Sequence, residues 1–252
     1  MTINTDINIL GGLPDFNLIK LFIGESVKSM DHGGGHHTYT AIKTEKAVQR
    51  FERAIRRTLL RFRNNDLEKL FQSIIISESN SANNHLFLFW IASTNNDLLS
   101  YLNEKVYFPA FYSGRIAIKP PEVSACLKEL RESEPSLKKW SDLTLDTTAS
   151  KYLTLLKKFG LMDGSQTKTI VHPYLNEQML MVFIYWLVAV ESKANILESS
   201  WLKYGFLERQ VFIERIMQKK FNKVIEVNFS GDKLKIEPTI PYNEIYDILT
   251  RS

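Results

Sequence analysis

The chain has 252 residues, 44% hydrophobic and 24% charged, with a net charge of +4. That size and balance belong to a soluble globular protein of one large domain or two to three small ones, and so mild a charge implies a polyanionic partner only where it is clustered. The single cysteine, Cys126, excludes an intrachain disulfide and a cysteine-built metal centre, and suits a reducing cytoplasm.

Residues 1–9 are polar and read as a frayed start, and Asp6 interrupts any secretory apolar segment. Leu10-Gly11-Gly12-Leu13-Pro14 reads as a turn. Asp15 or Asn17 then caps a helix whose apolar positions are Leu18, Ile19, Phe22 and Ile23. Asp31–Thr38 reads as a loop. Its three histidines lack a carboxylate or histidine at helical spacing to complete a metal site, and its glycines leave it without rigidity. The His-Gly-Gly-Gly string is similar to an esterase oxyanion loop, but no Gly-x-Ser-x-Gly elbow accompanies it.

Residues 40–63 carry Lys43, Lys46, Arg50, Arg53, Arg56, Arg57, Arg61 and Arg63 against only Glu45 and Glu52. At 100° per residue, Lys46, Arg50, Arg53, Arg57 and Arg61 fall on one stripe. Ala47, Phe51, Ile55, Thr58, Leu59 and Phe62 fall on the other side. The expectation is a helix packed on one face, with a basic ridge about 20 Å long on the other. Such a ridge suits a phosphate backbone; a solvated face paired with acids elsewhere is the plainer reading.

Asp66–Ile76 reads as a helix, Ser77–Asn84 as a polar loop, His85–Ala92 as a buried helix and Asp97–Tyr107 as a helix capped by Asn95 or Asn96. Pro120-Pro121-Glu122 opens a helix with Val123, Cys126, Leu127 and Leu130 inward, ending before Pro135. Trp140 then precedes the N-cap Ser141, where it staples the following helix against the core. That helix turns Leu145, Ala149, Tyr152, Leu153, Leu156 and Phe159 inward and stops at Gly160. Its other face carries Thr144, Thr147, Thr148, Lys151, Thr154 and Lys158. A short helix, a longer amphipathic helix, a turn and β-like segments read as a winged helix-turn-helix; a surface helix in a bundle is the alternative.

The apolar run Met179–Val190, about twelve residues, is short of the roughly twenty a membrane span needs and reads as a buried helix. Glu208–Lys220 reads as a helix with Val211, Phe212, Ile216 and Met217 apolar. Val224–Phe229 and Lys233–Glu237 alternate about Ser230-Gly231-Asp232 as a hairpin, and a last helix runs over Tyr242–Thr250. The fold class expected is mainly α, a helical protein with winged helix-turn-helix units and short β-hairpins. The expected division is 1–118, helical with the basic helix; 119–178, winged-helix-like; and 179–252, a helix and hairpin unit readable as a second winged-helix-like element.

Gly-Gly-Leu-Pro at 11–14, the arginine-rich helix, Lys138-Lys139-Trp140-Ser141-Asp142-x-Thr144, Phe159-Gly160-Leu161-Met162 and the closing hairpin together resemble the BrxA family of BREX bacteriophage-exclusion systems. The likeness covers roughly residues 10 to 250, and Trp140-Ser141 with Thr144 and the Gly160-Leu161 ending are its most specific part. It implies a small, soluble, mostly helical protein that binds double-stranded DNA beside a methyltransferase, an ATPase and a phosphatase-like protein. It brings no catalytic residues, cofactor or metal. The loop Asp31–Thr38 departs from the family pattern.

The expected function is therefore a non-enzymatic, cytoplasmic DNA-binding protein of phage defence. Lys46, Arg50, Arg53, Arg57 and Arg61 are the expected backbone contacts. Thr144, Thr147, Thr148 and Lys151 are expected on the groove-facing helix, and Lys233 and Lys235 on a wing. Few of these make the bidentate arginine–guanine contact, so weak sequence preference is expected. Two other classes stand beside it. One is an interaction protein whose ridge meets an acidic partner. The other is a metal-dependent nuclease built on Asp163 and Glu191-Ser192-Lys193.

Overall fold

The computed structural model describes residues 3–14, 19, 42, 44–76, 82–191 and 193–251. The expected helix at 15–23 (apart from the buried Ile19) and the histidine loop Asp31–Thr38 lie outside the described residues. The protein is mainly helical, and its residues group into two compact units built from separated stretches: 1–61 with 91–171, and 62–90 with 172–252.

The first unit begins with α1 (Ile7–Leu10), where the sequence reading expected a frayed end. Ile7 and Leu10 are fully buried, and Asn4 and Asp6 are buried beside them. Local polarity misleads here because these polar groups have partners. The Asn4 amide donates to the Asn95 carbonyl, and its side-chain oxygen accepts from the Asp6 N–H and the Asn96 amide. Helix α1 packs against both α2 (Glu45–Leu59) and the long helix Asp142–Lys158.

The helix Ala82–Asn95, named α4 after α3 (Asn65–Ile76) in the other unit, gives its last turn to this unit. Helix α5 (Asp97–Leu102) follows at once, because Asn96 accepts from the Leu99 N–H and caps it. The expected helix to Tyr107 continues further, through a π-turn (Asn103–Tyr107) into α6 (Phe108–Tyr112). The wider turn places the Asn103 amide in the core, donating to Ser93 and accepting from the Tyr152 hydroxyl at 3.0 Å.

Helix α7 (Pro120–Ser133) starts at its proline pair, as expected, and packs on α8 (Asp142–Lys158). Ser141 caps α8 by accepting from the Thr144 N–H. At the other end Gly160, at φ 78°, closes a Schellman motif: its N–H bonds the Lys157 carbonyl and the Leu161 N–H bonds the Leu156 carbonyl. Strands β1 (Met162–Asp163) and β2 (Thr169–Ile170) pair antiparallel, and Ala117 bridges to Thr169 on the other edge of β2. The segment before α7 thus joins the hairpin that follows α8.

The second unit centres on α9 (Glu177–Val190), capped by Asn176. Met179 to Leu187 are buried on every side, which accounts for the unbroken apolar run. Among the described residues no helix is long and apolar enough to cross a membrane. The Trp186 ring stacks on Trp90 at 5.6 Å, and Trp90 donates its indole N–H to the Tyr204 carbonyl. Helix α10 (Arg209–Ile216) buries Phe212 and Ile216 but leaves Val211 exposed, and Met217 beyond it is exposed too. The expected hairpin forms as β3 (Ile225–Ser230) and β4 (Lys233–Pro238), with Gly231 at φ 63° in its two-residue turn. Asn195 holds the hairpin tip, donating to the Asp232 carbonyl and accepting from the Leu234 N–H. The chain ends in α11 (Ile245–Arg251), which packs on α3 and α9.

Candidate nucleic-acid interface

Helix α2 is amphipathic in the way its sequence dictates. Ala54, Ile55, Thr58 and Leu59 are buried, and Thr44 caps the start by accepting from the Ala47 N–H. Lys46, Arg50, Arg53, Arg57 and Arg61 are all exposed. The helical part of this ridge, Lys46 to Arg57, spans roughly 16 Å. Arg61 lies past the end of α2, where Asn95 donates to the Thr58 and Arg61 carbonyls and fixes the chain's exit.

The nearby acids are divided unevenly. Arg56, off the ridge, takes Glu52 at 3.0 Å. Arg57 approaches the buried Asp6 carboxylate at 3.4 Å, and Arg53 donates to the Gln49 carbonyl. Among the described residues no acid lies within ion-pair distance of Lys46, Arg50, Arg53 or Arg61. Four of the five expected cations are thus exposed and without an acidic partner among the described residues.

Helix α8 is less open than its sequence indicates. Thr147 is exposed, and Thr144 and Lys151 are half-buried. Thr148 is fully buried, and its hydroxyl donates to the Thr144 carbonyl at 2.7 Å, so it cannot reach a ligand. The reason lies in α1 and the turn after it. Gly11 packs so tightly on the Lys151 backbone that an added Cβ would sit 2.4 Å from its carbonyl oxygen. The Lys158 ammonium binds the carbonyls of Leu10, Gly11 and Leu13. The C-terminal half of the face expected to be free thus holds the start of the chain.

The other end of α8 has further cations near it, none of them among the expected contacts. Lys138 and Lys139 are exposed in the turn before it, with no acid in ion-pair range among the described residues. Lys128 and Arg131 on α7 hold Asp142 at 3.3 and 2.8 Å, and their hydrogen bonds, Arg131's first, keep its carboxyl below the usual range. The Lys138-Lys139 pair was visible in the sequence, but helical periodicity gives no weight to residues in a turn. Trp140 is half-buried rather than sealed in the core, and its carbonyl accepts from Arg131.

In the second unit, Lys233 and Lys235 are exposed on the outer face of β4. Lys235 pairs with Glu237, whose hydrogen bond raises the lysine's pKa. Lys193 donates from its ammonium to the Glu198 carbonyl, and its N–H binds Glu191. Among the described residues no group of three or more His, Cys, Asp or Glu gathers to hold a metal ion.

The BrxA family model matches residues 40–184, more than half of the chain, taking in α2, α7, α8 and the β1–β2 hairpin. The chain belongs to the BrxA family. Family membership implies a role in BREX bacteriophage exclusion, with partners in the same defence system. The matched segment holds the basic ridge of α2 and the α7–α8 pair, whereas α1 and the β3–β4 hairpin lie outside it. No curated protein and no solved structure matches the chain.

Proposed function

We propose that this BrxA-family chain is a non-enzymatic double-stranded DNA-binding protein of the phage-exclusion system, acting in the cytoplasm beside its methyltransferase, ATPase and phosphatase-like proteins. The observation that carries the reading is the exposed ridge Lys46, Arg50, Arg53, Arg57 and Arg61, most of it free of acidic partners among the described residues. Cations in a line on a rigid helix neutralise successive phosphates and release counterions. The element order from the Ala117 bridge through α7 and α8 to β1 and β2 supports a winged helix-turn-helix as the second contact. In that unit Thr144 and Thr147 are the groove-facing candidates, Lys151 lying under the Gly11 turn, and Lys138 and Lys139 are added as phosphate contacts. Lys233 on the second hairpin is a further contact. Gel shifts of the pure protein with duplex DNA at two salt concentrations test the reading. Binding that falls steeply with salt is expected, and no duplex binding at low salt refutes it.

A further inference from the structure

We propose that Leu143 and Thr147 read thymine through its C5-methyl group. The inference rests on the duplex-binding reading above and adds the base chemistry that α8 recognises. Leu143, the second residue of the 17-residue helix α8, is 76% exposed. Leu143, Thr147 and Ser150 recur at i, i+4 and i+7, so they share one face, and all three are exposed. The two carboxylates on this half of the helix are already engaged. Asp142 is held by Lys128 and Arg131, and Asp146 accepts from the Ser124 hydroxyl at 2.5 Å. The outward face holds a leucine, a threonine and a serine, flanked by Lys138 and Lys139 in the turn just before the helix.

That combination matches the edge of an A·T pair in the major groove. Phosphates line the groove and attract the two lysines, and thymine is the base that offers a methyl group there. A recognition helix touches base edges with its N-terminal residues. In α8 that half lies open, whereas the Gly11 turn covers the helix at Lys151 and Lys158. The exposed face carries no arginine, so the two-pronged contact to guanine is not open to it.

The test compares one mixed-sequence duplex with the same duplex in which deoxyuridine replaces every thymidine, a change that removes only the methyl groups. The full-length protein should bind the thymine duplex about fourfold more tightly for each methyl contacted, the gain from burying one methylene-sized group. In Leu143→Ala the preference should shrink towards unity, and Thr147→Ser, which deletes only a methyl, should reduce it in part. Thermal melts confirm that both variants fold. Equal wild-type affinity for the two duplexes, or a preference that survives Leu143→Ala, overturns the inference and leaves duplex binding intact. Binding to neither duplex overturns both.

Discussion

The Arg57 guanidinium lies 3.4 Å from the carboxylate of Asp6, which is buried beneath it at the start of α1. One ion pair thus ties α1 to the basic ridge. Burial raises the Asp6 pKa, and the Arg57 charge, acting in the opposite sense, only partly offsets it. A raised folded-state pKa means the folded protein holds this proton more tightly than the unfolded chain. The resulting stability is fully present below the ordinary carboxylate pKa and is lost as pH rises through the raised value. Asp6→Asn removes that dependence. Its stability relative to the parent should therefore improve between about pH 3.5 and pH 7, as urea melts at each pH would record. Parallel curves would refute it. Arg57→Ala should cost about 1 kcal/mol at neutral pH and less in acid, where Asp6 is uncharged.

Reversing two ridge cations that have no acidic partner among the described residues tests the interface directly. Arg50→Glu with Arg53→Glu should weaken binding to all duplexes alike and lower the salt slope by roughly one unit for each phosphate no longer neutralised. Both side chains are exposed, so stability should stay within about 0.5 kcal/mol of the parent. A folded double variant that binds as the parent does would make the ridge a solvated face.

Adjacent threonines on α8 should respond in opposite ways. Thr147 is exposed and Thr148 is fully buried. Thr147→Glu should leave the melting temperature nearly unchanged while reducing DNA affinity. Thr148→Glu forces a carboxylate into the core and should destabilise by several kcal/mol. Similar melting temperatures for the two variants would contradict the packing of α1 over this helix.

Gly11 has an ordinary helical φ of −64°, so space rather than conformation is what requires glycine here. Gly11→Ala drives a Cβ into the Lys151 backbone, which cannot swing aside as a side chain would. The cost should be about 1–3 kcal/mol by denaturant melts. An unaffected variant would show that the turn does not press on α8.

Trp140→Ala should cost about 1–2 kcal/mol, less than the roughly 3–5 kcal/mol of a fully buried aromatic, because the ring is half-buried. A loss as large as that of a core tryptophan would place it inside.

The amino-acid sequence determined several features that depend on neighbours along the chain. The Ser141 cap, the Gly160 stop, the proline start of α7, the hairpin turn at Gly231 and the two faces of α2 all follow from spacing and local backbone preference. These rest on hydrogen bonds and dihedral angles within a few residues, so composition and period suffice to read them. Tertiary structure decided which polar groups are covered. Asn4 and Asp6 looked like a solvated end because their partners, Asn95, Asn96 and Arg57, are far away in sequence. Thr148 and Lys158 looked like an open face because the helix period reports which side of α8 is polar, and not whether another segment lies on it. Leu143 lies outside the apolar face that the helix period gives α8, and it is exposed.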